Sequence, residues 1–213
     1  MPSSSFGSFR YNIVDVARLI QSHKRLNNGA PGKKGLGHIT RSGIVMLCAS
    51  WELYVEDLLV EAAEIICNRA GAAQSLPLDV QKELSKHVKE SKHELKPLDL
   101  SGTGWRKVLV DHVKAKCTSL NTPKAGPLDD LFHRSIGLAS LSTSWTCGAQ
   151  AINDFVGVRG EIAHKGRSAP YVSVAALRSY LDLIKKVTVE TDNCVRSHIV
   201  SVAGPSRPWN VAS

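Results

Sequence analysis

Apolar residues in this chain recur at steps of three and four, and nowhere alternate for more than a few positions. Ile44, Leu47, Cys48, Trp51, Val55, Leu58, Leu59, Ala62 and Ile66 form the clearest stripe. Residues three and four apart share one face of an α-helix, so the spacing predicts a single long helix over residues 39–69. At ~1.5 Å per residue that helix is about 45 Å long. Its other side is acidic, with Glu52, Glu56, Asp57, Glu61 and Glu64, and Trp51 and Tyr54 read as packing anchors. Ile13, Val16, Ala17 and Ile20 predict an earlier helix over residues 10–28, ended by Asn27-Asn28-Gly29. Residues 78–95 read as a polar surface helix stopped by Pro97, and residues 105–116 and 128–136 as shorter helices. A further helix runs from Trp145 to Lys165. Ser168-Ala169-Pro170 then reads as the start of a last helix, with the serine as cap and the proline in the first turn. The expectation is an all-α fold, one helical bundle over residues 10–203. A flexible N-terminus over residues 1–9 and a C-terminal tail over residues 204–213 flank it.

Composition adds limits. The 213 residues are 43% hydrophobic and 22% charged, which excludes intrinsic disorder and allows a core that needs no covalent staples. No apolar run approaches the ~20 residues that span a bilayer. The opening Met1-Pro2-Ser3-Ser4-Ser5 has no basic or apolar leader character, so a cytoplasmic protein is expected. Five widely spaced cysteines with no CxxC support neither a disulfide framework nor a zinc site, and Cys48 and Cys147 read as small buried hydrophobes. No His, Asp and Glu set has metal-ligand spacing, so neither metal nor cofactor is expected.

The net charge of +8 matters more for where it sits than for its size. Between Asp15 and Glu52 there is no acid, yet Arg18, Lys24, Arg25, Lys33, Lys34 and Arg41 all fall there. These six are candidate RNA-phosphate contacts, with solvated helix faces as the plainer reading. Gly32-Lys33-Lys34-Gly35 lacks the GxxxxGK[ST] spacing of a nucleotide-binding phosphate loop.

Candidate chemistry lies in the helix after Trp145. Its stripe runs Trp145, Ala149, Ile152, Val156, and the next member is Arg159. An arginine in register with a core stripe is costly unless it is paired or faces a cleft or interface. His164 follows five residues later, in Arg159-Gly160-Glu161-Ile162-Ala163-His164-Lys165-Gly166. On an unbroken helix i and i+5 lie ~140° apart. The two side chains therefore meet within one chain only if the helix turns at His164.

Arg-x4-His followed by glycine, late in an all-helical chain, resembles the Rx4–6H motif of the HEPN superfamily, and within it the RiboL-PSP-HEPN type. Ser50-Trp51-Glu52-Leu53-Tyr54, Asn121-Thr122-Pro123 before Leu131-Phe132, and Trp145 ahead of the motif support the resemblance over residues 40–190. The resemblance implies a small helical bundle. Many such domains are metal-independent endoribonucleases of toxin–antitoxin systems, antiviral defence or RNA processing. Their active site usually forms where two protomers juxtapose their motifs. Carried over, Arg159 and His164 are the catalytic pair, RNA is the substrate, the state is a homodimer, and an antitoxin or regulatory partner is implied. Gly160 departs from the polar residue that follows the motif arginine in many active members. Glu161 is a candidate to orient His164 in its place, or else pairs with Lys165. The alternative function is a non-catalytic helical module that binds RNA or protein.

Overall fold

The computed structural model describes residues 1–27 and 35–213, so Lys33, Lys34 and the expected helix end at Asn28-Gly29 lie outside the described residues. Among the described residues there are seven α-helices and no strand: α1 (Ser4–Asn27), α2 (Gly37–Arg69), α3 (Leu78–Lys89), α4 (Gly104–Thr118), α5 (Ala125–Ile136), α6 (Ala149–Lys165) and α7 (Val174–Ala203). No helix among them is long and apolar enough to cross a membrane. The all-α expectation holds.

The bundle is organised around α2, whose 33 residues pack against α1, α4, α5, α6 and α7. Its central turns are buried over most of their circumference, through Leu47, Cys48, Trp51, Tyr54, Val55, Leu58, Leu59, Ala62 and Ala63, with Ala49, Leu53 and Asp57 exposed on the remaining side. A helix covered on most sides belongs in the middle of a core, not on its surface. Gly43 lets α7 come close: a Cβ there would sit 2.5 Å from Leu177 Cδ2.

Three aromatic side chains tie the surrounding elements to α2. The Trp51 indole donates to the Pro123 carbonyl at 3.1 Å, and its ring meets Trp145 edge-on at 6.0 Å. Tyr54 donates to the Thr188 carbonyl on α7 at 3.1 Å, and Trp145 donates to the Thr191 hydroxyl at 2.9 Å. Asn153 of α6 accepts from the Ala125 N–H at 3.0 Å, satisfying a free donor of the first turn of α5.

Both chain ends are built into the bundle. The first nine residues, expected as a flexible start, carry the opening of α1. Its buried stripe begins with Phe6 and Phe9 and continues through Ile13, Val16 and Ile20. The early serines start the helix and are not linker residues: Ser3 Oγ accepts from the Phe6 N–H at 3.0 Å, and the Glu61 carboxylate accepts from the Ser4 and Ser5 N–H groups at 3.0 and 3.1 Å and from the Ser5 hydroxyl at 2.7 Å. Ser3 also donates to Asp192, a fully buried carboxyl of α7 whose pKa burial raises. The expected tail, residues 204–213, folds back to bury Trp209 and Ala212, and Asn193 brackets Ala212 with two hydrogen bonds.

Three helix boundaries move for a reason visible in the structure. The polar third helix stops at Lys89, because its buried stripe of Val80, Leu84 and Val88 has no later member. α6 begins at Ala149, not at Trp145, since Gly148 at φ +77° breaks the helix ahead of it. This leaves Cys147 in the turn, half-buried. α7 is capped by Ser173, which accepts from the Ala176 N–H at 3.0 Å, and not by Ser168. Pro170 holds Ala169 extended, so the helix starts only after it.

Replacing Trp145 with Phe keeps a ring in the core but removes the donor to Thr191, whose hydroxyl is buried. The expected cost is about 1–2 kcal/mol, read as a Tm drop of roughly 2–8 °C in a chain of this size. An unchanged melting curve would show that this hydrogen bond does not hold α7 to the aromatic cluster.

Candidate active site

Arg159 sits where the apolar stripe of α6 meets the acidic row of α2. Its guanidinium pairs with Glu52 at 3.3 Å, and the two side chains are only 30% and 22% exposed. Cost of burial and register together explain the pairing, because an arginine in a core stripe needs a carboxylate or a cleft. Glu52 follows Trp51 directly, so the anchoring of Trp51 fixes where that carboxylate stands. Arg159 also lies against the Cys48 thiol. Burial pushes that thiol up to about 11 despite the nearby positive charge, so Cys48 is a protonated packing residue. One turn beyond Glu52, burial and the neighbouring Glu52 and Asp57 push Glu56 up to about 7.

His164 is exposed in the last turn of the same helix. The helix continues through Lys165 before Gly166 ends it at φ +53°, donating its N–H to the Ile162 carbonyl. The turn at His164 that would bring the two side chains together is absent, and Arg159 and His164 leave α6 ~140° apart. Glu161 pairs with Lys165, whose ammonium holds its carboxyl below the usual range. That is the plainer of the two sequence readings, and it leaves Glu161 without a hydrogen bond to His164. Glu161 instead lines a cavity of about 560 Å3 with Asn153, Gly157 and Tyr180.

Beside the Arg159 contact, α2 keeps an apolar strip uncovered. Val45 and Leu53 are 41% and 45% exposed, with Ala49 between them one turn from each, and Met46 adjoins. Tyr11 and Val14 of α1 extend this surface along a cleft. Contiguous exposed apolar area rimmed by polar groups marks a contact surface.

Four of the six candidate RNA contacts lie among the described residues. Arg18 pairs with Asp15 at 3.1 Å and borders the cleft between α1 and α2. Lys24 and Arg25 are exposed in the last turn of α1, and Arg41 is half-buried at the start of α2. Lys33 and Lys34 lie outside the described residues. Sequence reasoning did not pick out Glu52 as part of the site. Its signal was there in the Trp51-Glu52 pair, since an acid beside the anchor of the central helix is positioned by that anchor. Among the described residues no group of three or more His, Cys, Asp and Glu side chains forms a metal-holding cluster.

The site thus combines a half-buried arginine and an exposed histidine on one helix of an all-α bundle, next to an uncovered apolar strip. The family model of RiboL-PSP-HEPN matches residues 11–197, and the chain belongs to that family. Neither curated proteins nor solved structures give a match. HEPN domains often bind RNA and dimerise.

The raised Glu56 carboxyl carries a pH signature. The folded state holds this proton more tightly than the unfolded chain, so stability falls as pH rises from about 4.5 through about 7. Glu56→Gln is therefore expected to raise Tm at pH 8, with the gain closing below about pH 4.5. Thermal melts of both proteins across this range check it, and a gain independent of pH would contradict the assignment.

Proposed function

We propose that this protein is a metal-independent endoribonuclease whose active site is completed by two copies of the chain, acting as a toxin or defence effector. The single observation that carries the reading is the placement of Arg159. A permanently charged, forked group is held half-buried by Glu52 at the edge of an uncovered apolar strip. His164, on the same helix, points elsewhere and is free in solvent. Apposition of two such strips about a two-fold axis covers the apolar surface and lets Arg159 of one copy work with His164 of the partner subunit.

The chemistry follows from the groups. Cleavage by the 2′-hydroxyl of RNA needs a proton taken from that hydroxyl and a proton given to the leaving 5′-oxygen. An imidazole exchanges protons near neutral pH and serves either step. The attack builds negative charge on the phosphorane-like transition state, which a guanidinium stabilises through paired N–H donors. Glu52 keeps that guanidinium aimed, although a ligand phosphate has to compete with it for the same donors. Products are a 2′,3′-cyclic phosphate, or the 3′-phosphate from its hydrolysis, and a 5′-hydroxyl. A cognate antitoxin or regulatory partner restrains the activity.

Arg159→Ala and His164→Ala are each expected to lower cleavage by at least ~10²–10³-fold; His164→Ala keeps helical content and Tm near the parent's, whereas Arg159→Ala also lowers Tm because half-buried Glu52 loses its partner. Arg159→Lys keeps the charge for Glu52 and separates loss of chemistry from loss of packing. Cleavage persists in EDTA. Wild-type rates in either alanine variant, or loss of activity on chelation, would overturn the mechanism.

A second reading has one observation in its favour. Gly160 offers no polar group after Arg159, and Glu161 is engaged with Lys165, so among the described residues no carboxylate hydrogen-bonds His164. A non-catalytic RNA-binding module would then show salt-sensitive RNA binding with no cleaved product at any enzyme concentration.

A further inference from the structure

A second cavity, of about 600 Å3, opens where α1 ends, α2 begins and the segment between α6 and α7 crosses over them. His23, Gly37, Arg41, Arg167, Tyr171 and Ser173 line it. Its charge is one-sided for a reason visible in the sequence. The walls come from two stretches, residues 16–51 and residues 162–181, and neither contains a single Asp or Glu. Arg41 and Arg167 accordingly have no carboxylate partner among the described residues.

The geometry is that of a cradle. Arg41 Nη1 lies 3.0 Å, and the Tyr171 ring 3.8 Å, from the point that a Cβ on residue 37 would occupy. Gly37 thus lies between guanidinium and ring. Gly37 is also the first residue of α2, a helix whose N-terminus has neither a side-chain cap nor an acid in its first turn. Free N–H groups and the positive end of the helix dipole face such a position and favour an anion. Tyr171 is 71% exposed, an aromatic face held out beside two arginines with little of its own packing to justify it. His23, only 7% exposed, borders the cavity and has no hydrogen-bond partner among the described residues.

We infer that this cavity binds one nucleotide of a single-stranded RNA, its phosphate between Arg41 and Arg167 at the start of α2 and its base stacked on Tyr171. Phosphate satisfies the unpaired guanidiniums and the helix N-terminus, and a base gives the exposed ring a partner. Arg167 follows His164 by three residues, so the subsite flanks the position where the strand is cut. The inference rests on the ribonuclease reading for its choice of RNA, and its arginine and tyrosine contacts stand apart from the Arg159–His164 chemistry.

The test uses the full chain carrying His164→Ala, so that substrate survives, and a fluorescently labelled 12-nucleotide single-stranded RNA followed by anisotropy. Adding Tyr171→Ala is expected to weaken binding about tenfold or more, and Tyr171→Phe to keep it. Arg167→Gln is expected to weaken binding and to reduce the steepness of its salt dependence. Duplex RNA, whose bases are not free to stack, is expected to bind equally with and without Tyr171→Ala. Unchanged single-strand affinity in Tyr171→Ala would overturn the inference, as would an equal loss for duplex. AMP binding as tightly as the oligonucleotide, in a Tyr171-dependent way, would make the site one for free nucleotides and overturn the RNA assignment. Failure of the nuclease reading looks different: Tyr171-dependent binding persists while the parent protein cuts nothing.

Discussion

The contact between Trp51 and Trp145 holds the architecture in register. Two large rings meet edge-on at 6.0 Å in the middle of the bundle, and each indole N–H finds an acceptor on a different element, Pro123 for one and Thr191 for the other. Tyr54 adds a third tie, to the Thr188 carbonyl. Aromatic side chains bury roughly 150–250 Å2 each, and a buried donor left without its acceptor costs more than the hydrogen bond contributes on average. A slip of α7 by one residue along α2 disrupts the Tyr54 and Trp145 hydrogen bonds together. Glu52 and Arg159 inherit their places from this lock, because one follows Trp51 and the other continues the stripe that follows Trp145.

Charge is partitioned along the molecule as a consequence of sequence order. The acids of α2 begin only at Glu52, so its first turns stay free of negative charge while the later turns carry Glu52, Glu56, Asp57, Glu61 and Glu64. Arg159 reaches into the acidic row near its start and Lys114 pairs with Glu64 near its end, while between them burial, with Glu52 and Asp57 close by, raises Glu56 to about 7. At the other extreme, the end of α1, the start of α2 and the residues after α6 bring Arg41 and Arg167 to one cavity with no carboxylate in its lining. A polyanion approaching the protein is steered toward that end and away from the body of α2.

How much of this was legible in the sequence varies with the physics involved. The long helix was plain because nine apolar residues keep its period, and the observed α2 differs by two residues at its start. Arg159 stood out because a charge in a core stripe breaks a pattern. Its partner did not, since Glu52 looked like one acid among several on a solvated face and only tertiary packing singles it out. The chain ends misled for a similar reason: serine and glycine near a terminus resemble linker, yet Ser3 caps α1 and Ser5 bonds Glu61 while Phe6 and Phe9 fill the core. Arg167 and Tyr171 gave no periodic signal, because they lie on irregular chain and acquire meaning only beside Gly37 and Arg41.

The account turns on Arg159 and His164 acting across two copies of the chain, since one unbroken helix holds them apart within each copy. Subunit mixing tests this most directly. Arg159→Ala and His164→Ala proteins, each inert alone, are co-refolded and incubated with RNA in EDTA. Recovered cleavage is the predicted result, because a mixed pair supplies one arginine and one histidine to the same site. A mixture that stays inert, beside a wild type that cleaves after the same refolding, would contradict it.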